Sequence, residues 1–201
     1  MVGFIARGAE AELFETHVLG MRCVVKRRVE KKYRVPQLDE KLRKTRTKRE
    51  AYLLHKAKEA GVKVPLLLGL SEFEITMSFE EGVLLKDLLE DPVAASALGE
   101  LGAVLALLHK NWIVHGDFTP ANALVNEGKV TLIDFGLGAF SKELEDAAVD
   151  GLLMKKALGN EKLFELFSTA YSEENPGFES VFKQLEKIEE RARYVVRKQA
   201  Q

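Results

Sequence analysis

The stretch that most constrains this chain is residues 113–138, Ile-Val-His-Gly-Asp-Phe-Thr-Pro-Ala-Asn-Ala-Leu-Val-Asn-Glu-Gly-Lys-Val-Thr-Leu-Ile-Asp-Phe-Gly-Leu-Gly. Asp117 and Asn122 lie five apart across a Thr119-Pro120 break, so they share a loop. Asn122 leads into the apolar run 123–125, a turn at Asn126-Glu127-Gly128, and a second β-rich run at 129–133. That pattern is a hairpin. Asp134 stands just past it, beside Phe135-Gly136, and is folded back towards Asp117. Two carboxylates and an amide at one end of a small sheet suit phosphoryl transfer from a metal nucleotide. Mg²⁺ takes hard oxygen ligands and completes its shell with phosphates and waters. A separate carboxylate accepts the proton of an attacking hydroxyl. The competing reading is an Asp/Asn-rich loop whose polar groups only serve turns.

The stretch resembles the protein-kinase catalytic loop followed by the Asp-Phe-Gly motif, with His115-Gly116-Asp117 where most kinases carry His-Arg-Asp. Two matched motifs at the right spacing outweigh the turn-only reading. The resemblance implies a minimal two-lobed, protein-kinase-like α+β fold. Its β-rich lobe would occupy about 1–78, a hinge about 77–82 and a reduced helical lobe about 83–201. It also implies an ATP and Mg²⁺ site, with Asn122 and Asp134 as metal ligands and Asp117 as the base.

Residues 2–7, 12–19 and 21–28 form three strands in sequence, with tight connections at Gly8-Ala9-Glu10-Ala11 and Gly20. The first connection falls where kinases place a glycine-rich loop. Of three usual glycines only Gly8 is present, with Ala6 and Ala11 at the outer positions, so as a phosphate loop it is weak alone. Small residues still let backbone N–H groups approach a phosphate. Lys26 follows at the spacing of the strand-three lysine that pairs with the α- and β-phosphates. Val25 and Arg27 face the opposite side of that strand, and Arg28 shares the Lys26 side further from the loop. Residues 36–60 form a helix that Pro36 starts and Gly61 ends, with Leu38, Leu42, Ala51, Leu54 and Ala57 as its apolar positions. Glu50 is the only acid between Lys41 and Lys58. By resemblance it pairs with Lys26; otherwise it is an exposed partner of Arg46 or Lys48.

Lys31-Lys32-Tyr33-Arg34-Val35-Pro36-Gln37-Leu38-Asp39, then Arg46-Thr47-Lys48-Arg49-Glu50-Ala51, is not general to kinases. With Gly8-Ala9-Glu10-Ala11 and His115-Gly116-Asp117, it resembles the small atypical serine/threonine kinase of the KEOPS complex, the family of the p53-related protein kinase. The resemblance spans about residues 4–200. It implies an ATP-dependent phosphotransferase or ATPase that binds the threonylcarbamoyl-transferase subunit and other KEOPS subunits. That complex makes N6-threonylcarbamoyladenosine in tRNA, which this chain would meet through the complex.

Residues 64–79 read as two further strands around Gly69-Leu70-Ser71. By resemblance Met77 is the gatekeeper, and Ser78, Phe79 and Glu80 form the hinge whose backbone meets adenine. Residues 84–90 and 93–110 read as helices; in the second, Val93, Ala97, Leu98, Leu101, Val104, Leu105 and Leu108 make a core stripe. His109 and Trp112 read as packing residues. Helices follow at about 143–158, 161–171 and 178–198. Asp150 has two readings, the buried aspartate that ties down the catalytic loop or a helix-surface acid.

The chain departs from ordinary kinases after Asp134, where Phe140-Ser141-Lys142 leads almost directly into a helix. Gly116 replaces the arginine that reads an activation-loop phosphate, so no activating phosphosite is expected within 135–150; mass spectrometry paired with turnover tests this. Thr119 replaces a lysine near the γ-phosphate, so slow turnover is expected. Net charge is −1, but residues 22–50 hold thirteen Lys/Arg against four Asp/Glu, and Arg191, Arg193, Arg197 and Lys198 close the chain. A basic tail meets a polyanion or is simply solvated. Cys23 is the only cysteine and reads as a small core residue. No stretch approaches the roughly 20 apolar residues of a membrane span, and no signal-peptide pattern opens the chain, so a cytoplasmic location and no membrane contact are expected. Two rivals stay open. One is a small-molecule kinase of the aminoglycoside or choline type, which also uses His-Gly-Asp; the other is a nucleotide-binding pseudokinase scaffold.

Overall fold

Two-residue turns set the strand registers. Val18 pairs with Met21 and Asn126 with Lys129. The residues between them, Leu19-Gly20 and Glu127-Gly128, all have positive φ. Both central residues must take that conformation for the turn to match the twist of the strands it joins. The computed structural model describes the backbone of residues 3–199 and the side chains of residues 3–192.

Strands β1 (Gly3–Arg7), β2 (Ala11–Val18) and β3 (Met21–Arg28) form an antiparallel meander. After helix α1 (Pro36–Glu59), strands β4 (Leu67–Leu70) and β5 (Glu74–Ser78) return, giving the sheet order β1-β2-β3-β5-β4. Val35 is extended before Pro36, as the proline ring requires, and Pro36 opens α1. The C-terminal half of α1 buries Leu53, Leu54 and Ala57. Its N-terminal half departs from the sequence expectation: Leu38 is exposed, while Asp39 and Thr47 are buried. That half packs against charged partners instead of the apolar core. Asp39, for one, accepts from Arg43 at 2.7 Å and from Arg34 at 3.4 Å.

The remainder is mainly helical. The helix expected at 84–90 is not formed. Strand β6 (Val83–Leu84) pairs with the later strand β8 (Ala123–Asn126), and only one 3₁₀ turn follows, at Leu85–Asp87. Pairing with a strand about forty residues on and full burial of Leu85 outweigh local helix preference there. Helix α2 (Val93–Lys110) is central, with Ala97, Leu98, Leu101 and Leu108 fully buried. By length and composition α2 alone among the described residues would suffice to cross a membrane, but its apolar stripe forms the protein core. Strand β7 (Ile113–Val114) follows, then β8 and β9 (Lys129–Leu132) as the expected hairpin, and β10 (Ala139–Phe140) pairs back onto β7. Helices α3 (Leu144–Leu158), α4 (Glu161–Glu174) and α5 (Phe178–Gln199) complete the described chain. Gly102 marks the α2–α4 crossing, where a Cβ would lie 2.2 Å from the Phe167 carbonyl oxygen. Cys23 is buried, as expected. Trp112 is not a packing residue: it is half exposed, with φ +59° in the turn that ends α2. The side chains of Arg193, Arg197 and Lys198 lie outside the described residues.

Candidate active site

The loop after β7 is anchored by buried groups on each side. His115 is buried between Phe118 and Phe135, with ring centroids 5.6 and 4.8 Å away. The Asp117 N–H donates to His115 Nδ1 at 3.3 Å, so the proton lies on Nε2, which donates to the Ile133 carbonyl at 3.1 Å. Burial holds the His115 pKa below its ordinary value, with the nearby Asp150 carboxylate only partly opposing it. His115 therefore ties the loop to the segment carrying Asp134. Asp150, from α3, is fully buried and accepts the His115 N–H at 2.7 Å and the Gly116 N–H at 2.8 Å. Of its two readings, the tie to the loop is the one observed. His109 adds a contact to Asp150 at 3.4 Å and meets the Tyr171 hydroxyl at 2.9 Å. Gly116 has φ +78°, and a Cβ there would come within 2.5 Å of the Leu137 carbonyl oxygen. The backbone itself leaves no room for the arginine expected at this position of a kinase catalytic loop.

This anchoring presents Asp117 at the surface of the cleft. Thr119-Pro120 opens a single 3₁₀ turn, Pro120–Asn122, which brings Asn122 back. Its amide nitrogen donates to the Asp117 carbonyl at 2.8 Å and to Asp117 Oδ2 at 2.9 Å. The amide oxygen stays available as an acceptor, and Asn122 lines the cleft.

Opposite this loop lies an ionic cluster, buried except at Asp134, whose side chain is half exposed. Lys26 Nζ donates to Glu50 Oε1 at 2.6 Å and to Asp134 Oδ1 at 2.7 Å. Arg28 Nη2 donates to the other oxygen of Glu50. Lys26, Arg28 and Glu50 are each under one-tenth exposed. Burial alone would lower the Lys26 pKa, but the Glu50 and Asp134 carboxylates outweigh it and hold the ammonium above its usual range. Burial would likewise raise Asp134, and Lys26 outweighs it to hold that carboxyl below the usual range. Asp134 has φ +63° and accepts the Gly136 N–H at 3.0 Å. A Cβ on Gly136 would sit 2.9 Å from Asp134 Oδ1, which accounts for glycine beside this aspartate. Glu50 is thus not an exposed partner of Arg46 or Lys48. Arg28 carries no motif of its own; its place two residues after Lys26, on the same strand face, is the signal the sequence offers for it.

The cleft between the two clusters has a charged end and an apolar end. Gly8, Ala9, Glu10, Ala11, Lys26 and Arg46 are among the residues lining the charged end, which Asp117 and Asp134 also reach. The Gly8 N–H closes the turn onto the Ala11 carbonyl at 2.8 Å. Leu13, Val24, Met77, Leu84, Leu124 and Ile133 line the apolar end, together with Ser78, Phe79 and Glu80. Leu13, Lys26 and Asp134 belong to both ends. The Ser78 N–H is spent on the Leu66 carbonyl at 2.9 Å and the Phe79 N–H on the Arg22 carbonyl at 3.0 Å. Every site residue expected from sequence therefore lines this cleft or, as Glu50, orients a residue that does. The apolar lining from β2, β3 and β8 had no motif to mark it.

Asn122 and Asp134 supply hard oxygen atoms, as Mg²⁺ requires. Among the described residues no three His, Cys, Asp or Glu side chains gather as a metal site of their own. The donor set therefore fits an ion whose remaining ligands are phosphate and water.

Comparison with known proteins gives concordant matches. The profile of the RIO domain matches residues 13–144. The KEOPS complex subunit Bud32 of Pyrococcus abyssi is 40% identical over 190 residues, covering 89% of this chain and 83% of that one. A probable serine/threonine-protein kinase BUD32 homolog of Archaeoglobus fulgidus is 37% identical over 199 residues, covering 96% of both. A probable bifunctional tRNA threonylcarbamoyladenosine biosynthesis protein of Methanothermobacter thermautotrophicus is 38% identical over 197 residues. That match covers 94% of this chain and 36% of the relative, so the chain spans about a third of the bifunctional protein's length. The Rio2 kinase from Chaetomium thermophilum, in a complex with ADP/Mg²⁺ and phosphoaspartate, superposes with TM-score 0.66 at 17% identity, covering 96% of this chain and 72% of that one. At that identity the likeness establishes a protein-kinase-like fold.

Proposed function

The chain belongs to the RIO-domain family and within it to the Bud32 group, and on that premise we propose that it is an ATP-dependent serine/threonine phosphotransferase and ATPase of the KEOPS complex. The observation that carries this reading is Lys26, held between Glu50 and Asp134 where the apolar and charged ends of the cleft meet, facing the Asp117–Asn122 loop.

Adenine occupies the apolar end between Leu13, Val24, Met77 and Leu124. Its polar edge meets the Ser78 carbonyl and the Glu80 N–H, since the Ser78 and Phe79 N–H groups are already spent. Lys26, oriented by Glu50, holds the α- and β-phosphates, and the Gly8–Ala11 turn covers them. Asn122 and Asp134 would hold Mg²⁺, which when bound neutralises charge on the phosphates. Asp117 accepts the proton of the attacking hydroxyl, or orients water when water is the acceptor. The acceptor oxygen bonds to the γ-phosphorus, the bridging oxygen leaves with ADP, and the proton stays on Asp117 until it exchanges with solvent. Thr119 offers no charge to the γ-phosphoryl group in transfer, so turnover falls below the 1–100 s⁻¹ that is roughly typical of kinases.

The partners we assign are the threonylcarbamoyl-transferase subunit and other KEOPS subunits, with tRNA met through the complex and the cytoplasm as the site of action. ATP turnover by the purified chain with Mg²⁺, with and without transferase subunit and tRNA, tests this beside Asp117→Ala. Turnover that rises with both and vanishes in the variant is expected. Turnover indifferent to both, with phosphate transferred to an added protein, would point to a freestanding protein kinase instead.

A further inference from the structure

The segment Lys31–Asp39, the most distinctive in the sequence, converges with α1 on the turn above the charged end of the cleft. Lys31 Nζ donates to the Ala9 carbonyl. Glu10, at the tip of the turn, meets Arg46 Nη1 at 2.7 Å, Arg34 Nη2 at 3.5 Å and Arg28 Nη1 at 4.0 Å. Burial would raise the Glu10 pKa, but Arg46 and its neighbours outweigh it, so the carboxylate stays ionised.

The cations lining this end of the cleft are not equally committed. Lys26 holds two carboxylates, and Arg28 is 4% exposed and locked to Glu50. Arg46 is different. Its side chain is 28% exposed, and the carboxylate it meets, Glu10, is 39% exposed. A part-exposed pair of this kind exchanges partners at little cost. Arg46 stands four residues before Glu50 on α1, hence on the same helix face, and lines the cavity with Lys26 and Asp117. A triphosphate brings about four negative charges into an end of the cleft where Thr119 has removed one expected cation. A guanidinium fork suits phosphate oxygens better than any other side chain.

We propose that Arg46 binds the γ-phosphate of ATP, with Glu10 holding the guanidinium over the cavity until the phosphate replaces it. The inference rests on reading the cleft as an ATP site. It assigns the missing γ-phosphate cation to α1, with Glu10 of the Gly8–Ala11 turn as its holder.

The test is calorimetric titration of ATP, ADP and AMP with Mg²⁺ into the full chain, Arg46→Gln, Arg46→Lys and Glu10→Gln. Arg46→Gln should weaken ATP about tenfold to a hundredfold, the value of a charge-assisted hydrogen bond, while ADP and AMP hold, which also shows that the variant is folded. Arg46→Lys should recover part of the loss. Glu10→Gln should bind ATP at least as tightly as the parent, since it frees the guanidinium. If Arg46 is only a strut for the turn, Arg46→Gln and Glu10→Gln weaken all three nucleotides alike, and the inference fails alone. A parent chain that binds none of the three overturns the ATP site and the inference together.

Discussion

The two sides of the cleft hold their acidic groups in opposite ways. Glu50 is buried and fixed by side chains: one oxygen meets Lys26, the other Arg28. Asp117 is exposed and fixed through the backbone, by the ties of His115 and Gly116 to Asp150 and of Asn122 to the Asp117 carbonyl. A group held by buried charges is part of the fold's stability. A group presented by a rigid loop leaves stability to its anchors and keeps its own carboxylate for chemistry. Substitution should therefore separate activity from stability on the Asp117 side and join them on the Glu50 side.

The largest effect falls on Asp117. Asp117→Ala should lower ATP turnover by about 10²–10⁴, the usual worth of a general base. Unfolding free energy should move by no more than about 1 kcal/mol, the worth of the one side-chain hydrogen bond lost to Asn122. Phosphate release and denaturant titration of the same preparation measure the two. A variant that loses several kcal/mol of stability would erase the contrast between the two sides.

Glu50→Ala comes next. Removing one member of a buried ion pair costs about 3–5 kcal/mol because its partners stay buried and uncompensated. Lys26 keeps Asp134, so the loss should lie near the lower bound, with most of it from Arg28. Denaturant midpoint and ATP affinity should fall together. Lys26→Ala should also abolish turnover, but at a smaller cost in stability, because Glu50 retains Arg28 and Asp134 is half exposed. A Glu50→Ala chain of parental stability would show that the cluster is solvated in solution.

This contrast also explains what was legible in the sequence. Asp117, Asn122 and Asp134 were readable because a loop site keeps its chemistry in one short stretch with fixed spacing. The two hairpins and the α2 stripe were readable because their periods are local. The contact of Arg28 with Glu50 and the Glu10–Arg46 pair were not. Each depends on where α1 lies against the turn before β2, and thirteen cations among residues 22–50 give no reason to prefer one partner. Leu38 misled for the same reason: its helical spacing is right, but the face opposite it is charged. At 84–90 the helical pattern is real, and pairing of Val83 and Leu84 with β8 overrides it.

The anchor beneath Asp117 predicts a smaller effect. Asp150→Ala leaves the buried His115 N–H and the part-buried Gly116 N–H without their acceptor. Each such group costs about 1–3 kcal/mol, offset by water where the cavity admits it. Asp150→Ala should thus lose both stability and turnover although Asp150 lies outside the cleft lining. Hydrogen exchange at the two amides is the direct check: fast exchange in the variant and protection in the parent are expected, and equal protection would mean that another group holds the loop.

The smallest effect is a pH dependence from His115. Its folded pKa lies below the ordinary value near 6.5 because burial disfavours the imidazolium. Below about pH 6.5 the unfolded chain binds a proton that the folded chain refuses, so stability rises with pH in that range. The contribution of His115 is therefore fully present above the unfolded pKa. It declines as the pH falls, by at most about 1.4 kcal/mol per pH unit, and levels off below the folded pKa, where both states are protonated. His115→Gln keeps a donor for the Ile133 carbonyl but does not titrate. Its unfolding free energy should change less steeply between pH 7 and pH 5 than that of the parent. Parallel slopes for the two chains would place the imidazole in contact with water, and the tie between the Asp117 loop and the Asp134 segment would then need another source.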